Sequence, residues 1–249
     1  MTIDPIPLSR LAYALIPAAA VIALMWRFEV GAGKAAYAFV RMFVQLIAIG
    51  YALVFIFGSN SPLLVLAILL AMAAASSWIA LNTIKDGKRA LIGASFISIL
   101  GGGGLTLAII TQLVLRLDPW FEPNLMIPLA GMVFSSSMTA VSLAGERLCA
   151  ELSNGVAIMP ARRAAVQAAM IPITNSLLAV GLVSLPGMMT GQILSGVSPL
   201  VAVRYQIMVM CMIFGATGLT TAAFVYLSRN AAPFVRRNLP ATSVCSGNE

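Results

Sequence analysis

Uncharged apolar runs of about 20 residues recur from one end of this chain to the other, and they leave few folds open to it. As a helix rising 1.5 Å per residue, such a run crosses roughly 30 Å of hydrocarbon. Neither Pro62–Leu81 nor Leu91–Leu115 carries a single charge. A water-soluble chain with this many runs could not cover its surface, because 60% of its residues are apolar and only 9% are charged. An average soluble domain has roughly 25% charged residues. The expected fold class is therefore all-α, a polytopic transmembrane helix bundle. A single membrane domain over residues 1–249 is expected, since no polar stretch is long enough for a second, soluble one.

Seven spans are read, at Pro7–Trp26, Tyr37–Phe57, Pro62–Leu81, Leu91–Leu115, Leu125–Gly145, Ala165–Leu185 and Leu200–Leu227. The connectors are short and rich in turn residues, as in Gly58-Ser59-Asn60-Ser61-Pro62, Lys85-Asp86-Gly87-Lys88 and Gly196-Val197-Ser198-Pro199. The net charge of +7 is spread as single or paired basic residues at the ends of the runs. That is the pattern of charges that orient spans, and nucleic acid is not expected as a partner. Arg27, Lys34, Lys85, Lys88, Arg89, Arg147, Arg162, Arg163, Arg229, Arg236 and Arg237 fall on one side. Counting those residues as cytoplasmic puts the N-terminus outside and the C-terminus in the cytoplasm. The location implied is the inner (plasma) membrane, with membrane lipids as surroundings. Residues Met1 to Leu8 lack the basic start and small-residue cleavage site of a secretory signal, so the first run is expected to stay.

Several chemistries find no residues here. There is no histidine, the commonest general base, and Cys149, Cys211 and Cys245 show no CxxC spacing. An intramembrane enzyme would have almost no acid–base groups to work with. Gly31-Ala32-Gly33-Lys34 looks like the tail of a phosphate loop but lacks both the earlier glycine and a following Ser or Thr. No ATP site and no bound cofactor are expected on this chain.

The polar residues inside the spans are more informative, because such groups usually face a bundle interior or a pathway. Ser135, Thr139, Ser142 and Glu146 are spaced 4, 3 and 4 apart, which keeps them on one stripe of the fifth helix. The stripe ends in a carboxylate at the cytoplasmic mouth. Either it is ordinary helix packing, with hydroxyls bonded to their own helix, or it is a substrate pathway. For a cation, Glu146 would be the metal-attracting residue and the hydroxyls its oxygen ligands. The glycine run Gly101–Gly104 reads as a hinge or, better, a close helix contact. The sixth span is interrupted by Pro172 and by Leu185-Pro186-Gly187, with Thr174 and Asn175 between them. Broken helices of this kind mark substrate sites in transporters, which makes Asn175 a second pathway candidate. Met208 and Met212 share a face below Arg204 and read as core filler. The connector from Glu146 to Arg163 is long enough for a short helix against the membrane. Its Glu151, Arg162 and Arg163 make it either a solvated loop or a docking element.

Several stretches resemble one known family. They are Arg41-Met42-Phe43-Val44-Gln45-Leu46 with Gly50-Tyr51, Ile127-Pro128-Leu129-Ala130-Gly131-Met132, Met138-Thr139-Ala140 and Glu146-Arg147-Leu148. The most specific runs from Val180-Gly181-Leu182-Val183-Ser184-Leu185-Pro186-Gly187-Met188-Met189 to Pro199 and Tyr205-Gln206-Ile207. Together they resemble the FetB-like ABC-transporter permeases, linked to iron export in bacteria, with plant relatives linked to aluminium tolerance. The resemblance implies a permease half that pairs with a second copy as a homodimer. It also implies a separate cytoplasmic ATP-binding cassette subunit that holds the ATP, and it makes Glu151, Arg162 and Arg163 the surface that ATPase grips. Where the family carries an acidic residue and a lysine after Pro172, this chain has Asn175 and Leu178. The competing function is a stand-alone secondary transporter or channel, which would usually need a midplane ionisable relay that the spans do not offer.

Overall fold

The computed structural model describes residues 7–58, 61–83 and 88–228. Lys85, Arg229, Arg236, Arg237 and Cys245 lie outside the described residues. Among the described residues, regular structure is helical apart from an isolated bridge between Val180 and Ser184. The chain divides into two compact units, Met1–Asn60 and Ser61–Glu249.

The first unit holds α1 (Leu8–Tyr13), α2 (Leu15–Arg27) and α3 (Ala32–Phe57). The expected first span is thus two helices with a step at Ala14, and the second begins earlier than Tyr37. Gly31 makes the turn into α3 at φ +59°, a left-handed conformation that suits glycine. No residue of α2 is buried, and Trp26 and Tyr51 are each 80% exposed. Apolar side chains displayed this fully belong in lipid rather than in water.

The second unit holds α4 (Pro62–Ala80), α5 (Lys88–Ser98), α6 (Gly104–Ile109), α7 (Pro123–Ser153), α8 (Ile158–Ala179), α9 (Gly187–Leu194) and α10 (Pro199–Leu227). Helices α4, α7 and α10 each open with proline in the first turn, where its missing N–H costs nothing. Ser61 also caps α4, its Oγ accepting from the Leu64 N–H at 3.4 Å. Helix α7 packs against α4, α8 and α10, and α10 touches α5, α8 and α9 as well, so these two form the centre. Small residues fill the seams. Ala161, Ala165 and Ala169, four apart on α8, are buried, as are Ala130, Ala140 and Ala144 on α7. In lipid this is how helix backbones approach closely enough to gain packing energy. Met212 is fully buried and Met208 packs against the core.

Around the glycine run the helix widens into two π-helical turns, Ile99–Gly103 and Ile110–Val114. A Cβ on Gly102 would lie 2.5 Å from the backbone N of Thr220, and one on Gly103 would lie 3.0 Å from Val133 Cγ1. The run is therefore a close contact with α10 and α7. Beside it Thr220 Oγ1 donates to Ser137 Oγ at 3.1 Å, a buried polar link between α10 and α7.

Two boundaries in the second unit also differ from expectation. The fifth span was expected to end at Gly145, but α7 runs 31 residues to Ser153. The Glu146–Arg163 segment consequently comprises the last turns of α7, a break at residues 154–157 and the first turns of α8. The sixth span, expected at Ala165–Leu185, is instead α8 ending at Ala179, with Pro172 inside an unbroken helix. The chain then turns at Gly181 (φ +82°) before Pro186 starts α9. Among the described residues six helices are long and apolar enough to cross a membrane. Helix α8, with Arg162, Arg163, Gln167 and Asn175 over 22 residues, falls short of their apolarity.

Candidate functional site

The α7 stripe is not uniform in its surroundings. Ser135 and Thr139 are exposed, and Thr139 Oγ1 donates to the Ser135 carbonyl at 3.0 Å. Ser142 instead reaches across to α4, its Oγ donating to the carbonyl of Ala80 at 2.5 Å. That hydroxyl ties two helices together. Glu146 is exposed at the far end, and Arg147 pairs with Glu151 at 2.6 Å rather than with Glu146. Asn175 is exposed on α8. Among the described residues no three His, Cys, Asp or Glu side chains come together as a metal cluster.

At the α7–α8 break, Glu151 is half-buried and Arg163 is exposed. Arg162 is half-buried, with one guanidinium nitrogen 3.9 Å from Met159 Sδ and its Nε without a partner. The Arg147–Glu151 pair, one turn apart, braces the end of α7.

Sequence reasoning missed a second group of hydroxyls. A recess of about 180 Å³ lies between α7, α8 and α10, lined mostly by apolar residues (Ala140, Ala169, Pro172, Ile173 and Ile213) and by the hydroxyls of Ser136, Thr139, Ser176 and Thr217. Of these hydroxyls only that of Thr139 had been singled out. The available signal was the last span's Thr217-Gly218-Leu219-Thr220-Thr221, where hydroxyls three and four apart share a face. A larger apolar cavity of about 390 Å³ lies between the end of α8, the Gly181 turn, α9 and α10. Gln206, 5% exposed, lines it with an unpartnered Oε1.

Long apolar helices around a small-residue core, with hydroxyls in place of charges between them, define a multi-pass membrane protein. The chain belongs to UPF0014, a family described as uncharacterised, which it matches over residues 8–232. It is 37% identical to a UPF0014 membrane protein of Synechocystis, over 82% of this chain and 85% of that one. To the "Probable iron export permease protein FetB" of Escherichia coli it is 38% identical, over 76% of this chain and 77% of that one. It is also 34% identical to the Arabidopsis thaliana protein ALUMINUM SENSITIVE 3, over 78% and 76% of the two chains. No solved structure matches it.

Proposed function

We propose that this chain is the membrane permease subunit of an ABC transporter that exports a metal cation. ATP is bound and hydrolysed on a separate cytoplasmic cassette subunit, and two copies of the chain pack around a shared axis. The observation that carries the reading is the similarity to the "Probable iron export permease protein FetB" over three quarters of both chains. The chemistry of the bundle supports it: spans with no metal cluster among the described residues suit a passage rather than a storage site.

In this reading the pathway follows the exposed face of α7 past Ser135 and Thr139 to Glu146, with Asn175 on α8 beside it. Ser142, bonded to α4, holds the helix in place along the route. Glu151, Arg162 and Arg163 at the α7–α8 break form the grip for the ATPase. The basic residues put that break in the cytoplasm, with the N-terminus outside.

Purification of the chain from its native membrane tests this. An ATPase subunit should come with it, in a particle carrying two copies of the 26.1 kDa chain. Cells lacking the chain should accumulate more metal. A monomer that transports without any ATPase would replace this reading with a secondary transporter.

A further inference from the structure

Gln206 lies about two turns into α10, 5% exposed, and its carboxamide oxygen has no hydrogen-bond partner. Buried side-chain polar atoms ordinarily have one, and hydrocarbon offers no water to stand in. An apolar side chain of similar size would fill the position without that cost. The amide lines the cavity between the end of α8, the Gly181 turn, α9 and α10. The other walls are apolar, Leu177, Leu185, Met189, Ile207 and Met210 among them, and no residue lining it is charged. At about 390 Å³ it is more than twice the roughly 150 Å³ that admits a benzene molecule. Leu185 and Ile207 are 62% and 60% exposed, so the cavity is bordered by apolar surface of the kind that faces hydrocarbon.

We propose that this cavity binds an apolar molecule carrying a hydroxyl, of the class of phenols and long-chain alcohols, taken up from the bilayer. The proposal goes beyond the permease reading and does not depend on it. Charged and strongly polar ligands are excluded by walls that offer them one amide and no charge. A purely apolar guest, an acyl chain included, would fill the space but leave the Gln206 oxygen without a partner. A hydroxyl matches the amide, because it can donate to the carboxamide oxygen or accept from the NH2 group beside it. Apolar walls with one placed polar group are the ordinary make-up of a small-molecule pocket. The position gives binding a consequence. Val180 and Gly181 line the cavity together with residues of α8, α9 and α10, so an occupant braces the interruption between α8 and α9.

The test is photolabelling of the purified chain, with whatever subunit accompanies it, in phosphatidylcholine nanodiscs. The probe is a trifluoromethyldiazirinyl phenol, and its adducts are mapped by mass spectrometry. They should concentrate on the cavity walls, Met189 and Met210 among them. β-Naphthol should suppress those adducts about tenfold more effectively than β-methylnaphthalene at equal concentration in the bilayer, the margin of one hydrogen bond. Gln206→Leu replaces the unpartnered amide with an apolar group of similar size and should fold at least as well. In that variant the two naphthalenes should compete alike. Gln192 also carries an unpartnered carboxamide oxygen but does not line the cavity, so Gln192→Leu should leave the preference intact. The proposal fails if adducts avoid the cavity walls, which would mean that a second copy of the chain or acyl chains fill the space. It fails equally if the two naphthalenes compete alike in wild type, or if the preference survives Gln206→Leu. Loss of the preference in Gln192→Leu would overturn it too, by moving the site to α9.

Discussion

A methyl group added at Gly102 has no space to enter, because Thr220 backbone stands 2.5 Å from where its Cβ would be. Gly102→Ala should therefore force α10 away and cost about 1–3 kcal/mol, the usual penalty for overpacking. Gly101, one residue earlier, meets nothing within 4 Å. Gly101→Ala should be neutral or stabilising by up to about 1 kcal/mol, the helix-propensity difference. Thermal unfolding of both variants in detergent reads the contrast, and equal midpoints would show that the run is not a contact. Glu146 makes a different kind of prediction. Glu146→Gln keeps shape and removes charge, so export should fall about tenfold with expression unchanged, as local cation concentration drops. Unaltered export would leave the α7 stripe as packing. At this scale the sequence was partly legible. Spacing alone put Ser135, Thr139, Ser142 and Glu146 on one helix. It could not show that Ser142 bonds to Ala80, because a partner 62 positions away is set by packing. Thr217 was passed over for the same reason, its place in the recess arising only where three helices meet.

Among the elements, α7 teaches the most. Its charged end, Glu146 to Ser153, continues the helix because Ala144, Leu148 and Leu152 stay buried, four apart, past the apolar run. Hydropathy sees where lipid stops, whereas this helix stops where its packing does. The α7–α8 break leaves Arg163 exposed, with Arg162 and Glu151 half-buried on either side of it. Reversing both arginines to glutamate should cut ATPase retention about tenfold while leaving insertion intact, since charge pairs at an interface act mainly on docking. Normal retention in that double variant would remove the break from any coupling role. Pro172 shows the opposite lesson. Proline usually interrupts a helix, yet α8 runs through it, and Ser176 Oγ donates a hydrogen bond to the Pro172 carbonyl at 2.9 Å. The real interruption is at Val180–Pro186, where Gly181 turns back on itself.

For the whole molecule, the apolar runs gave the helical membrane class directly, because composition cannot hide a surface that faces lipid. Orientation is a matter of charge, and the sidedness proposed here predicts an accessibility pattern. In a cysteine-free background, single cysteines at Ser59 and Ser198 should label from outside intact cells, and one at Lys88 should not. Ser198 is exposed, and Ser59 lies outside the described residues. Labelling at Lys88 alone would invert the protein. The shortfall of α8 in apolarity has its own consequence for biogenesis. A segment with two arginines, a glutamine and an asparagine gains little by leaving the insertion machinery alone. It packs against α7, which precedes it by a few residues. The two helices should therefore enter the bilayer as a hairpin, with α7 sheltering α8 until α10 is made. Nascent chains cut short after α8 should accordingly remain held at the translocon, whereas those cut after α10 should be released into lipid.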